Sequence, residues 1–206
     1  GTMNFGFATA TQIIFGAGTA RTIGNYAATM GQHAMVVSGR SSARYGIIRE
    51  QLEKQGIAST HFSVQQEPTT ETALAGVQKA RQAACDCVIG IGGGSVIDVG
   101  KVIAALLTNR GELSDYLEVI GKGLPLEKMS APYIAIPTTA GTGAEVTRNS
   151  VLESPEHRVK VSMRSPLMLP RWAIVDPELT YSAPPHITAS TGLDAFTQLL
   201  EAYVSH

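Results

Sequence analysis

Three consecutive glycines, residues 92–94, interrupt the stretch CVIGIGGGSVIDVGK. Glycine lets the backbone approach a ligand closely, and the first N–H groups of a helix attract a pyrophosphate. This pattern predicts a phosphate-binding turn between a buried strand and a helix, with an ordinary glycine turn as the alternative. It is neither a Walker A motif nor the usual G-x-G-x-x-G pattern.

Two polar positions follow the glycines at steps that matter for the helix. Ser95 and Asp98 have the spacing of a capping box, which predicts that they fix the helix start. Lys101 lies one turn beyond on the Asp98 side of the helix, where it could pair with Asp98 or reach toward a ligand.

A second loop of small residues follows the apolar run IAIP in IAIPTTAGTGAEVTRNS, residues 134–150. Thr138, Thr139 and Thr142 offer hydroxyl donors, and the glycines between them allow close backbone approach. Two such loops at neighbouring strand ends could clamp one extended ligand. An ordinary polar turn is the alternative.

Apolar runs rich in β-formers alternate with helical patterns over the first two thirds of the chain. Such alternation predicts βαβ units, hence an α/β, Rossmann-like, mostly parallel sheet flanked by helices. Strands are predicted at residues 33–38, 59–64, 87–92 and 131–138, and helices at 46–56, 69–84 and 95–109.

The pattern changes after residue 144. Segments 145–154, 157–163 and 171–179 are typical of strands with short connections, which predicts an antiparallel or mixed addition to the sheet. After Pro184 and Pro185 the pattern becomes helical up to the last residue. We interpret 1–180 as a dinucleotide-binding domain and 181–206 as the first helices of a truncated all-helical second domain.

The composition of the chain disfavours some classes of binding partner. The chain has 206 residues, 44% of them hydrophobic, and a formal net charge of -1. This balance disfavours nucleic acid and anionic membrane as partners, since both prefer a strongly basic face. A disulfide between Cys85 and Cys87 would be badly strained, so both are predicted to be buried thiols of a cytoplasmic protein.

Together the two loops make the chain similar to a known family, the iron-dependent (group III) alcohol dehydrogenases, relatives of glycerol dehydrogenase and dehydroquinate synthase. The matching pieces are GGGSVIDVGK, PTTAGTGAEVTRNSV, HRVKVSM, AIVDPEL and TGLDAFTQLLEAYVS. They come in the family's order and spacing and cover about half of a full member. The resemblance implies hydride transfer between a nicotinamide cofactor and a small-molecule substrate, an alcohol or aldehyde.

The resemblance also implies which residues would contact the cofactor. The pyrophosphate would be held by Gly93, Gly94 and Ser95. The phosphates and the nicotinamide-side ribose would be lined by Thr138, Thr139 and Thr142, with Asn149 and Lys160 beside the same groove. Asp98 would shape the nicotinamide pocket. The residues alone favour a helix cap for Asp98 and a solvated strand lysine for Lys160.

Cofactor choice is predicted from the residues after the first strand. NAD-using members usually place an aspartate there, whereas this chain has Gly39, Arg40 and Ser41. Loss of the carboxylate removes repulsion against a 2′-phosphate, which Arg40 and the serines could bind, so NADP(H) is favoured over NAD(H). The alternative is that Arg40 is a solvated loop residue and both cofactors bind.

The family binds Fe²⁺ or Zn²⁺ through an aspartate, a histidine four residues later and two further histidines. Asp194 matches the aspartate, but Gln198 stands at the histidine position. An amide oxygen is a poorer ligand than imidazole for either metal. We therefore expect the chain alone to hold no catalytic metal tightly, while a longer chain could use Asp194, later histidines and Gln198, or could have lost the metal.

Three functions remain open at this point. The first is a metal-assisted alcohol dehydrogenase or aldehyde reductase. The second is a relative with other chemistry, similar to maleylacetate reductase or dehydroquinate synthase. The third is a nucleotide-binding protein without alcohol dehydrogenase turnover. Because the related enzymes form dimers or larger rings, a homo-oligomer is expected.

Overall fold

The computed structural model describes residues 11–140 and 143–180, which form two β-sheets with helices packed against them. The strands are β1 (Gln12–Phe15), β2 (His33–Ser38), β3 (Ala58–Ser63), β4 (Cys87–Gly92), β5 (Tyr133–Pro137), β6 (Asn149–Ser154), β7 (Val159–Arg164) and β8 (Trp172–Val175). The α-helices are α1 (Ile23–Ala27), α2 (Ser42–Lys54), α3 (Thr70–Gln82), α4 (Gly94–Thr108), α5 (Leu113–Tyr116) and α6 (Pro177–Thr180). Short 3-10 helices lie at Thr19–Thr22, Ala144–Val146 and Pro166–Met168.

The main sheet has six strands in the order β1-β8-β5-β4-β2-β3, and every pairing in it is parallel. The predicted α/β, Rossmann-like, mostly parallel sheet is therefore confirmed. From β2 the chain moves outward to β3 and then returns to β4 on the other side of β2. This reversal leaves a crevice outside the carboxyl ends of β2 and β4, where ligands bind in open α/β sheets.

Hydrophobic cores lie on both faces of this sheet. Successive residues of a strand point to opposite faces, so Val88 and Ile89 of β4 enter different cores. Val88 packs with residues of α3 and α4 such as Val77, and Ile89 packs with residues of α1 and α2 such as Leu52. With both faces covered, β4 is buried along its whole length, which fixes the position of the turn that follows it.

The prediction for the segments after residue 144 is wrong in its arrangement. Strands β6 and β7 form a separate two-stranded antiparallel sheet and do not extend the main one. Strand β8 joins the main sheet in parallel, between β1 and β5. Two smaller errors concern single elements. Helix α2 begins at Ser42, four residues before the predicted start, and strand β1 had no predicted counterpart.

The two cysteines are buried free thiols, as predicted. Burial raises the pKa of the Cys87 thiol to about 12, with the neighbouring Asp86 charge acting in the same direction. Within residues 11–140 and 143–180, no helix combines the length and apolar content needed to cross a membrane. The predicted second domain, 181–206, lies outside the described residues.

Candidate dinucleotide-binding site

The turn between β4 and α4 is made of Gly92, Gly93 and Gly94. Gly93 is the N-cap of α4, in extended conformation (φ −78°, ψ −173°), and no side chain caps the helix. The capping-box prediction is therefore wrong, because Ser95 already lies inside the helix and Asp98 contacts β6 instead. The first N–H groups of this four-turn helix point out of the sheet at its carboxyl edge, which is the arrangement that favours a phosphate.

Gly92 and Gly93 differ in whether the fold itself leaves room for a side chain. A Cβ at Gly92 would lie 2.6 Å from Cγ2 of Val96, so a side chain there collides with the helix. A Cβ at Gly93 would lie 3.5 Å from Oγ1 of Thr139, an ordinary van der Waals distance. The fold therefore requires Gly92, whereas at Gly93 it leaves open a space that faces the second loop.

The second loop lies directly beside this turn, as predicted. The Thr138 N–H donates to the Gly92 carbonyl at 2.9 Å, which joins the ends of β5 and β4. Thr138 is buried and Thr139 is exposed. Thr142, the third predicted hydroxyl, lies outside the described residues.

A buried ionic cluster joins α4 to the second loop. The Lys101 ammonium lies 3.7 Å from Oδ1 of Asp98 and donates to Oγ1 of Thr147 and the carbonyl of Asn149, at 2.9 and 3.0 Å. The distance to Asp98 confirms the predicted pairing of Lys101 with this residue. The Lys101 side chain is fully buried, and its hydrogen bonds go to the 144–149 segment.

Burial sets the protonation tendencies of this cluster. It lowers the pKa of Lys101 to about 8, opposed by the nearby carboxylates. It raises the pKa of Asp98, opposed by Lys101 and by the Val151 N–H that donates to the carboxylate. Burial also raises the pKa of Glu145, whose Oε2 has no hydrogen-bond partner among the described residues.

The residues predicted to select between NADP(H) and NAD(H) lie between β2 and α2. Gly39 follows β2, and its carbonyl accepts from the Ser63 hydroxyl at 3.0 Å. Arg40 is exposed, with its Nε donating to the Gln65 carbonyl at 2.9 Å. Ser41 is the N-cap of α2 and makes no side-chain capping bond. Strand β2 is thus followed by a glycine, an arginine and serines.

Lys160 and Asn149 lie on the separate hairpin. The structure brings the Asn149 backbone to Lys101, whereas Lys160 lies on β7 opposite Glu153 with its side chain exposed. The proposed contacts of both side chains with cofactor stay predictions.

Sequence reasoning missed Arg44. It lies in the first turn of α2, and its NH1 donates to Oγ1 of Thr138 at 3.1 Å. The contact joins residues 94 positions apart, so no local pattern signals it. The only available signal was a second arginine shortly after Gly39.

No group of three or more His, Cys, Asp or Glu side chains in the described segments 11–140 and 143–180 could hold a metal ion. The two predicted metal-binding residues, Asp194 and Gln198, lie outside these segments. The metal prediction therefore stays a prediction.

Comparison with known proteins gives the same family by a family model and by individual relatives. A family model described as iron-containing alcohol dehydrogenase matches residues 10–177. Long-chain-alcohol dehydrogenase 1 of Geobacillus thermodenitrificans is 40% identical over 178 residues, which is 84% of this chain and 44% of that protein.

Solved structures agree in fold. Sulfoacetaldehyde reductase from Bifidobacterium kashiwanohense, solved with NAD⁺, superposes with a TM-score of 0.78 at 36% identity, covering 94% of this chain and 51% of that one. NADH-dependent butanol dehydrogenase A from Thermotoga maritima gives a TM-score of 0.79 at 30% identity, with 96% and 50% covered. The chain thus spans about half the length of the relatives it matches.

Proposed function

Since this chain belongs to the iron-containing alcohol dehydrogenase family, we propose that its protein is an oxidoreductase that transfers a hydride between a nicotinamide cofactor and an alcohol or aldehyde. The observation that carries the proposal is the turn at Gly93, which opens toward Thr139. It combines space for close approach, the N-terminus of α4 and a position at the reversal of strand order. A dinucleotide pyrophosphate fits all three features.

Gly93→Ala tests this site. The new methyl group fits the protein, because its nearest neighbour is 3.5 Å away, but it fills the space assigned to the pyrophosphate. We expect NADH and NADPH to bind at least about tenfold more weakly, from loss of close contacts to a charged group. The free energy of unfolding should change by no more than about 1 kcal/mol, the scale of an N-cap substitution. Fluorescence titration and urea unfolding measure the two effects.

Gly46→Ala is the matched control, since it makes the same change in α2 where a Cβ meets no atom within 4 Å. It should leave cofactor binding unchanged. Normal binding of both cofactors by Gly93→Ala would rule out the turn as the pyrophosphate site.

NADP(H) is the cofactor we propose within this function. Support comes from the glycine at position 39, the adjacent Arg40 and the serines that follow. One of the two solved relatives described above is in complex with NAD⁺ and the other is named NADH-dependent, so the NADP(H) preference rests on the residues of this chain.

Gly39→Asp should reverse the preference. A side chain fits there, because the nearest atom to a Cβ is Cγ2 of Val96 at 3.9 Å. A carboxylate would repel a 2′-phosphate and bind the ribose hydroxyls, so we expect NADPH to bind about tenfold more weakly and NADH to bind as well or better. Gly39→Asn keeps the shape without the charge. Tighter binding of NADH than of NADPH by the unmodified protein would contradict the proposed preference. An equal loss for both cofactors, or the same result with Gly39→Asn, would contradict charge repulsion as its cause.

Metal assistance is a further part of the proposal. A metal ion would polarise the substrate oxygen during hydride transfer. Asp194 would supply a carboxylate ligand, while the amide of Gln198 is a weak substitute for imidazole. Because of Gln198, cofactor binding without turnover is the second candidate function. Alcohol oxidation by the full-length protein, measured with Fe²⁺, Zn²⁺ and a chelator, separates the two.

Substrate class and assembly complete the proposal. The relatives are named for a long-chain alcohol, butanol and sulfoacetaldehyde, which supports an alcohol or aldehyde as substrate and leaves its chain length open. We also propose a second domain that begins near residue 181. The buried free thiols support a cytoplasmic location. The assembly we propose is a homo-oligomer. Sedimentation velocity of the full-length protein tests the last point.

A further inference from the structure

The guanidinium of Arg44 joins two βα units at the carboxyl end of β4. Arg44 belongs to α2, which follows β2, yet its NH1 bonds Thr138 at the end of β5. Strand β4 lies between β2 and β5 in the sheet. Because Thr138 also bonds Gly92, the last residue of β4, the guanidinium lies outside the carboxyl end of β4, next to the glycine turn.

This cation is incompletely satisfied within the described part of the chain. Arg44 is half-buried, and the threonine hydroxyl is its one hydrogen-bond partner there. No carboxylate within residues 11–140 and 143–180 forms an ion pair with it. A guanidinium carries five N–H donors in a planar fork that matches phosphate oxygens. Most of these donors are available to a ligand at the turn.

Arg40, the cation singled out by the sequence, is placed differently. Its Nε is already engaged by the Gln65 carbonyl on the β3 side of the site, and its side chain is exposed. Arg44 instead reaches inward, to the junction of the two loops. The structure therefore provides a better-positioned phosphate ligand than the one expected.

We propose that Arg44 binds a phosphate group of the dinucleotide cofactor, exchanging or sharing its contact with Thr138 when the cofactor is present. This inference rests on the proposed function, since it assigns one more residue to the same site. The shared chemistry is a phosphate ester anion, supplied either by the pyrophosphate or by the 2′-phosphate of NADPH.

The test uses Arg44→Gln and Arg44→Lys, titrated with NADPH and NADH. Arg49→Gln is the control, because Arg49 lies on the same helix, exposed, with a surface pair to Glu53. Arg44→Gln should weaken NADPH binding about tenfold or more, since the lost bond is to a charged group, and Arg44→Lys should recover part of the affinity. The urea midpoint should not change, because Arg44 makes one hydrogen bond to a neutral hydroxyl.

The two cofactors distinguish the source of the phosphate. An equal loss for NADH and NADPH assigns Arg44 to the pyrophosphate, and a loss confined to NADPH assigns it to the 2′-phosphate. If both bind Arg44→Gln as they bind Arg49→Gln, the inference is wrong and the proposed function stands. If neither cofactor binds the unmodified protein, both are wrong.

Discussion

Lys101→Met should lower the free energy of unfolding by about 3–5 kcal/mol, the cost of leaving one partner of a buried ion pair alone. The substitution keeps the volume of the lysine stem but removes its charge and donors. Asp98, whose side chain is only 17% exposed, would lose its cation, and the Thr147 hydroxyl and Asn149 carbonyl would lose their donor. Urea unfolding of the variant measures the loss.

Lys54→Met is the matched control. Lys54 pairs with Glu50 at 2.9 Å on the surface of α2, where such a pair contributes well under about 1 kcal/mol. The double variant Lys101→Met with Asp98→Asn should lose less than the sum of the two single variants, because it removes both charges together. A loss for Lys101→Met no larger than that for Lys54→Met would show that the buried pair does not stabilise the fold.

The pKa of Lys101 gives the same cluster a pH signature. Burial lowers the folded pKa of this ammonium to about 8, against about 10.4 in the unfolded chain. Between these values the unfolded state binds more protons, so the contribution of this group to stability rises as pH rises. The stability difference between the unmodified protein and Lys101→Met should therefore grow from about pH 8 to about pH 10, measured by urea unfolding at each pH.

Gly100→Ala should destabilise the protein by about 3 kcal/mol, at the upper end of the range for core overpacking. A Cβ on Gly100 would lie 2.7 Å from Cζ of Tyr133 and closer still to its hydroxyl oxygen. The Tyr133 ring cannot move away, because Gly90 of β4 contacts the same ring and the hydroxyl donates to the Ile97 carbonyl at 2.9 Å.

Tyr133→Phe provides the check on this explanation. Removing the oxygen takes away the nearest contact of the new methyl group, so Gly100→Ala should cost less in the Tyr133→Phe background than in the unmodified protein. Gly46→Ala, on the open face of α2, should be neutral or slightly stabilising, as expected for alanine in a helix. Additive losses for the Gly100 and Tyr133 variants would exclude a clash with the Tyr133 hydroxyl as the main cause.

The parts of the fold that were predictable depend on neighbours in sequence. Helix α3 lies within the predicted stretch 69–84, and the Thr69 hydroxyl caps its start by accepting from the Thr72 N–H. Strand β4 follows from a continuous apolar run, and the Asp98–Lys101 pair from helical spacing.

The parts that were not predictable depend on distant contacts. The capping box failed because α4 begins at Gly94, which places Ser95 inside the helix, and the Asp98 carboxylate accepts from the Val151 N–H of β6 instead. The position of β8 between β1 and β5 is a matter of strand order, which residue pattern does not encode. Arg44 has the same origin, since its partner Thr138 comes from another βα unit.

The Gly90–Tyr133–Gly100 packing has a consequence for binding. Gly90 and Gly100 let α4 pack close against β4 and β5. The Tyr133 hydroxyl donates to the Ile97 carbonyl in the first turn of the helix. With the Thr138–Gly92 bond, the turn is held by three elements before any ligand arrives. A cofactor therefore meets donors that are already ordered, and little of its binding energy is spent on the entropy of arranging them.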